Sequence, residues 1–124
     1  MKFEIHRASA DIYFRVAEDL DKKHSLENDA VKKTAYMVAA AQNYFYSAVN
    51  SVEAVFAEKL ECHSFSHENR MNRLLENRSL FSEEIIALYG LVDRDQRNKV
   101  TYRGENGDKY RNIKKLANLL IRPA

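Results

Sequence analysis

The chain has 124 residues, the size of one domain, with 45% apolar and 31% charged residues and a formal net charge of +2. No apolar run approaches the length that crosses a bilayer, and the start Met1-Lys2-Phe3-Glu4-Ile5-His6 lacks the apolar segment of a secretory signal, so neither membrane insertion nor export is expected. A lone cysteine, Cys62, cannot close an internal disulfide, which predicts a reducing, cytoplasmic setting.

Neither glycine nor proline occurs before Gly90, so the spacing of apolar residues predicts an all-helical body. A first helix is expected over about residues 4–23, with Ile5, Ala8, Ile12, Val16 and Leu20 as its apolar stripe and Tyr13 and Ala17 widening it. His24-Ser25 reads as a break, with Ser25 the N-cap of a long second helix over about residues 26–60. That helix carries two apolar rows. One is Val31, Ala35, Val38, Phe45, Val49, Val52, Phe56 and Leu60; the other is Met37, Ala41, Tyr44, Ala48 and Val55. Two rows call for neighbours on both flanks, which makes it the central helix of a bundle.

The stretch 61–65 reads as a connection, and Ser66 as the cap of a short third helix with Met71, Leu74 and Leu75 inward. Ser82, followed by Glu83 and Glu84, starts a fourth, whose inner row is Ile85, Tyr89, Val92, Gln96 and Val100. Gly90 inside it costs about 1 kcal/mol relative to alanine, which predicts a close backbone approach there. Beyond Val92 the apolar character fades, so 93–103 is expected to border solvent or a polar interface. After a turn at 104–107, a last helix starts near Asp108 with Tyr110, Ile113, Leu116, Ala117 and Leu120 as its stripe, and Pro123 follows its end. The expected fold is a single all-α domain over 1–124, an antiparallel four- to five-helix bundle around the second helix.

Charge is distributed unevenly. From Val92 onward the chain carries a net +5, against −3 for the first 91 residues. Such polarity suits an anionic partner; the competing reading is a solvated face with its own ion pairs. The most crowded cationic stretch is Arg97-Asn98-Lys99-Val100-Thr101-Tyr102-Arg103-Gly104, where the fourth helix runs out. Arg94, Arg97, Lys99 and Arg103 are the expected phosphate-binding cations, because a guanidinium grips phosphate through two parallel hydrogen bonds. Other chemistry has less support. Cys62, His63 and His67, with Glu58 and Glu61, form an incomplete ligand set, so no metal site is expected. No nucleophile elbow or phosphate loop is present, and a helix entering a DNA groove would not begin Glu83-Glu84.

The segment from Ala40 to Ala54, rich in Ala and Tyr, the connection at His63-Ser64 and the pair Arg97-Asn98 together resemble a HEPN domain (higher eukaryotes and prokaryotes nucleotide-binding) over most of the chain. That resemblance implies a helical bundle that forms a homodimer with Arg97 at or near the interface. In the catalytic branch of the family, an Arg and a following polar residue precede a His by four to six positions, and the proteins are metal-independent ribonucleases without cofactors. Some are toxins paired with a minimal nucleotidyltransferase antitoxin. Here Arg97 and Asn98 match the first half, while Tyr102, Arg103 and Gly104 stand where the His would fall. A phenol with an ordinary pKa near 10 is a poor base at neutral pH. The resemblance therefore implies an RNA- or nucleotide-binding module, non-catalytic or weakly active, with an Arg97/Asn98/Tyr102 endoribonuclease and a dimerisation scaffold as the competing readings.

Overall fold

The first two helices, α1 (Phe3–Leu26) and α2 (Ala30–Lys59), pack side by side as an antiparallel hairpin. The structure is a computed structural model and describes residues 2–121. The expected break at His24-Ser25 does not occur. Ser25 Oγ donates to the Asp21 carbonyl within α1 (3.1 Å), so Ser25 caps nothing. His24 Nδ1 donates to the Lys33 carbonyl (2.8 Å) and Lys33 Nζ to the His24 carbonyl (2.7 Å), which ties the end of α1 to the start of α2. The turn falls at 27–29 instead. There Glu27 Oε2 accepts from the Asn28 and Asp29 amides, and Asp29 caps α2 by accepting from the Lys32 amide at 2.9 Å. The central helix thus starts at Ala30 rather than at 26.

The inward face of α1 also differs from expectation. His6, Ala10, Phe14 and Ala17 are buried, whereas Ile5, Ile12 and Val16 are exposed. Small residues decide this: Ala10 and Ala17 let α1 approach the Ala- and Ser-rich flank of α2, close enough for Ser47 Oγ to donate to the Ala10 carbonyl at 2.8 Å. Phe14 meets Tyr44 edge-on, with ring centroids 5.7 Å apart. On α2 both flanks are covered, by α1 on one side and by the later helices on the other, as two apolar rows require. Val31 and Ala35, expected in one of those rows, are exposed in its first turns.

Beyond α2 the chain forms α3 (His67–Glu76), a 3₁₀ turn (Arg78–Leu80), α4 (Glu83–Leu91), a π-helical turn (Val92–Gln96), α5 (Arg97–Arg103) and α6 (Asp108–Ile121). Ser66 and Ser82 cap α3 and α4 as their positions predict, accepting from the Asn69 and Ile85 amides. Leu74 is the buried residue of α3, and Leu75 faces outward. Gly104, at φ +66°, ends α5 with hydrogen bonds from its own amide to the Val100 carbonyl and from the Glu105 amide to the Lys99 carbonyl. The stripe of α6 (Tyr110, Ile113, Leu116, Ala117, Leu120) is buried throughout. Arg122 and Pro123 lie outside the described residues.

The result is an all-α bundle with α2 at its centre; among the described residues no strand forms, and no helix is long and apolar enough to cross a membrane. A part-buried polar cluster joins its first helix to its last. Asp21 of α1 accepts from Tyr110 (2.6 Å) and Lys114 (2.6 Å) of α6. Burial opposes ionisation of Asp21, but the hydrogen bonds from Lys114 and Tyr110 outweigh it and hold the carboxyl below its ordinary value. Gly90 is explained differently than expected. Its nearest neighbours are not backbone but the flexible ends of Met71 and Arg94, each 3.3 Å from where a Cβ would stand.

Candidate functional site

The fourth helical stretch is not a continuous α-helix. Between α4 and α5 the π-helical turn inserts one residue into the ladder, so that the Arg97 amide bonds to the Val92 carbonyl. Val92, Asp93 and Gln96 follow the buried Tyr89 by three, four and seven residues and are buried with it, and Arg97 is left at the rim. The region expected to border solvent or a polar interface from Asp93 onward thus begins with a buried carboxylate that faces polar groups of α3 and α5. Gln96 Oε1 is satisfied by Asn112 Nδ2 at 3.0 Å.

A second element converges on the same place. Glu53, buried on α2, accepts from the Ser64 amide (2.9 Å) and from Arg70 Nε (2.7 Å), which fixes the connection after α2 and the first turn of α3. Capped by Ser66, α3 then begins at His67, whose ring lies 6.0 Å from that of Phe45 on α2. His67 Nδ1 stands 3.2 Å from Asp93 Oδ1 and 3.2 Å from Arg70 Nη1. On the other side of Asp93 Oδ1, Arg97 Nε is 3.7 Å away, and the Arg97 guanidinium lies over the Phe45 ring with its Cζ 5.0 Å from the centroid.

These contacts orient Arg97 without satisfying it. Asp93 Oδ1 and Arg97 Nε are both buried and neither has a hydrogen-bond partner. Such orphaned polar atoms are few in folded proteins and call for an explanation. Above them is a small groove of about 50 Å³ lined by Gln42, Phe45, Tyr46, Arg97, Thr101 and Tyr102. Tyr46 is 50% and Tyr102 80% exposed, so two phenol rings flank a guanidinium held on an aromatic floor.

Of the residues singled out in the sequence, Arg97 and Tyr102 line this groove and Asn98 does not. Of the four expected cations, Arg97 alone lines it. Arg94 Nε donates to the Gly90 carbonyl, Lys99 pairs with Asp95 (2.8 Å), and Arg103 lies 3.9 Å from Glu105. The basic stretch is thus largely engaged in local pairs. His63 and His67, four residues apart, diverge: His63 lies against His6, and His67 turns to Asp93.

Asp93, four residues before Arg97, is the local ion-pair partner that the competing reading of this stretch calls for. The residue that sequence reasoning did not bring to this site is His67, which is thirty positions from Arg97 and reaches it only through the docking of α3. Burial, then the charge of Arg97, lowers the pKa of His67, Asp93 opposes the shift, and Arg70 adds to it. The lowered value favours the neutral imidazole. In a proton-NMR titration His67 should titrate below an ordinary histidine; Asp93→Asn should lower it further and Arg97→Ala should raise it. A His67 that titrates normally and ignores both substitutions would place the ring elsewhere.

Compared with family models, with curated proteins and with solved structures, the chain matches none.

Proposed function

We propose that this protein is a HEPN-like module that binds RNA or a nucleotide through a phosphate held by Arg97. One observation carries the reading: a guanidinium stacked on Phe45, its Nε buried without a hydrogen-bond partner, in a groove lined by two exposed tyrosines. A guanidinium supplies fixed, paired donors for phosphate oxygens, and exposed phenol rings give unpaired bases a surface to stack on. The excess of positive charge from Val92 onward favours the approach of such a ligand. A homodimer and, in a two-gene defence system, a minimal nucleotidyltransferase partner belong to the same reading. Its test is the affinity for a fluorescently labelled single-stranded oligoribonucleotide and for a nucleotide at low salt, in wild type and Arg97→Ala. Unchanged affinity on losing Arg97 would refute it.

A second reading, a metal-independent endoribonuclease, is favoured by one further observation. His67 stands on the far side of Asp93 from Arg97 and supplies, from another helix, an imidazole as proton acceptor, which the phenol of Tyr102 is not at neutral pH. In this reading Arg97 holds the phosphate while His67 takes the proton of the 2′-hydroxyl, whose oxygen attacks phosphorus; the P–O5′ bond breaks, the 5′-oxygen leaves with a proton from water, and a 2′,3′-cyclic phosphate remains. Incubation with structured RNA in EDTA should then give cleavage that both His67→Ala and Arg97→Ala abolish and Tyr102→Phe leaves largely intact. No cleavage by wild type above the His67→Ala background would leave the binding module alone.

A further inference from the structure

A cavity of about 400 Å³ lies where α1, α2, the 3₁₀ turn, α4 and α6 come together, and its lining shares no residue with that of the Arg97 groove. Its walls are largely aliphatic: Val55 of α2, Leu80 of the 3₁₀ turn, Ile85 of α4 and Leu119 of α6. Phe81 also borders it, but that ring is engaged edge-on with Phe56, centroids 6.0 Å apart. Close-packed interiors leave few voids larger than a water molecule, so a chamber of this size belongs with small-ligand sites rather than with packing defects.

Two polar features stand level with each other in its wall. Arg7 lines the cavity from α1, half-buried, and among the described residues it has no ion-pair partner. Glu4 and Asp11 lie three and four residues away on the same helix, the spacing of intrahelical ion pairs, yet neither pairs with it. Ser51 lines the cavity from α2; it is 1% exposed, and its Oγ is buried without a hydrogen-bond partner. The register of the α1–α2 hairpin brings the two together. Ser47 Oγ donates to the Ala10 carbonyl, so Ser51, four residues further along α2, falls opposite residues 6–7 of α1, where His6 already meets Asn50 at 3.1 Å.

We propose that this cavity binds a medium-chain aliphatic carboxylate, with its tail among Val55, Leu80, Ile85 and Leu119 and its head between Arg7 and Ser51. A guanidinium donates two parallel hydrogen bonds to a carboxylate, and the Ser51 hydroxyl donates a third. One unpaired cation balances one negative charge, which favours a monoanion over a dianionic phosphate head. Aliphatic walls gain from every methylene removed from water, which favours a chain over a compact anion.

Isothermal titration of the full chain with decanoate, below its micellar concentration, tests the proposal, with decanol, decyl phosphate and acetate for comparison and methyl NMR to place the ligand. Decanoate should bind one molecule per chain and shift the methyl signals of Val55, Leu80, Ile85 and Leu119, and acetate should not bind. Decanol should bind wild type about tenfold more weakly than decanoate, and Arg7→Gln should remove that difference by weakening decanoate alone. Ser51→Ala should weaken decanoate several-fold yet raise the Tm of the free protein, because it deletes a buried hydroxyl that lacks a partner. Arg97→Ala should leave decanoate binding unchanged, since the two sites are separate. No binding of decanoate, binding that leaves those methyl signals unmoved, or an Arg7→Gln chain that still prefers decanoate to decanol would each overturn the proposal. Decyl phosphate bound more tightly than decanoate would overturn the assignment of a carboxylate head.

Discussion

Replacing Arg70 with alanine should destabilise the protein by about 3–5 kcal/mol, because it leaves a buried carboxylate without its cation. Glu53 and Arg70 are both nearly inaccessible, with side chains 6% and 11% exposed, and join at 2.7 Å. For a domain of this size that loss lowers Tm on the order of 10 °C, readable by thermal circular dichroism. The pair is not irreplaceable as a source of stability: a double substitution, Glu53→Leu with Arg70→Met, should recover much of the loss by removing both charges together. pH gives an independent check. Burial of Glu53 disfavours its charged form, but the Ser64 and Arg70 hydrogen bonds prevail and hold its carboxyl below the ordinary value. In wild type its contribution is therefore present above the unfolded value and is lost as pH falls through the folded one. Without Arg70 the burial effect is less opposed and the folded value rises. The gap between variant and wild type should then be widest at neutral pH and narrow on acidification.

Arg97→Ala should reduce RNA affinity by at least about tenfold at low salt, in line with the 1–3 kcal/mol carried by a charge-assisted, oriented hydrogen-bond pair. Arg97→Lys should recover little of it. An ammonium keeps the charge but loses both the planar fork and the stacking on Phe45 that aims it. A plot of log affinity against log salt should lose about one unit of slope in Arg97→Ala, the signature of one phosphate contact removed. Lys99→Ala and Arg103→Ala provide the contrast. Both cations are engaged with neighbouring carboxylates outside the groove, so their loss should change affinity much less. Fluorescence anisotropy with a labelled oligoribonucleotide measures all four variants. Equal losses from Lys99→Ala and Arg97→Ala would indicate a diffuse basic surface rather than a site.

Helix identity was largely legible because it rests on local rules. The absence of Gly and Pro before Gly90, the caps Ser66 and Ser82, and the stripe of α6 each act over a few residues, and all hold in the structure. The first turn was misplaced because two capping groups compete within five residues. Ser25 and Asp29 are both acceptable N-caps, and the choice is made by a tertiary contact, the reciprocal His24–Lys33 pair. Which face of α1 turns inward was misread for a related reason. Periodicity reports that a helix has an apolar stripe, but α1 has two, and the smaller Ala10/Ala17 face wins because it lets two backbones come close.

The sequence by itself determined an all-α chain, its central helix, and the position of Arg97 at the end of a helical run, since each follows from residue spacing and capping over short range. Tertiary structure decided what surrounds that arginine. Asp93 is buried beside it, and the Glu53 latch brings His67 to the same carboxylate from a different helix. Groups thirty residues apart meet only when burial of their helices fixes the distance between them, and periodicity along one helix carries no information about that distance.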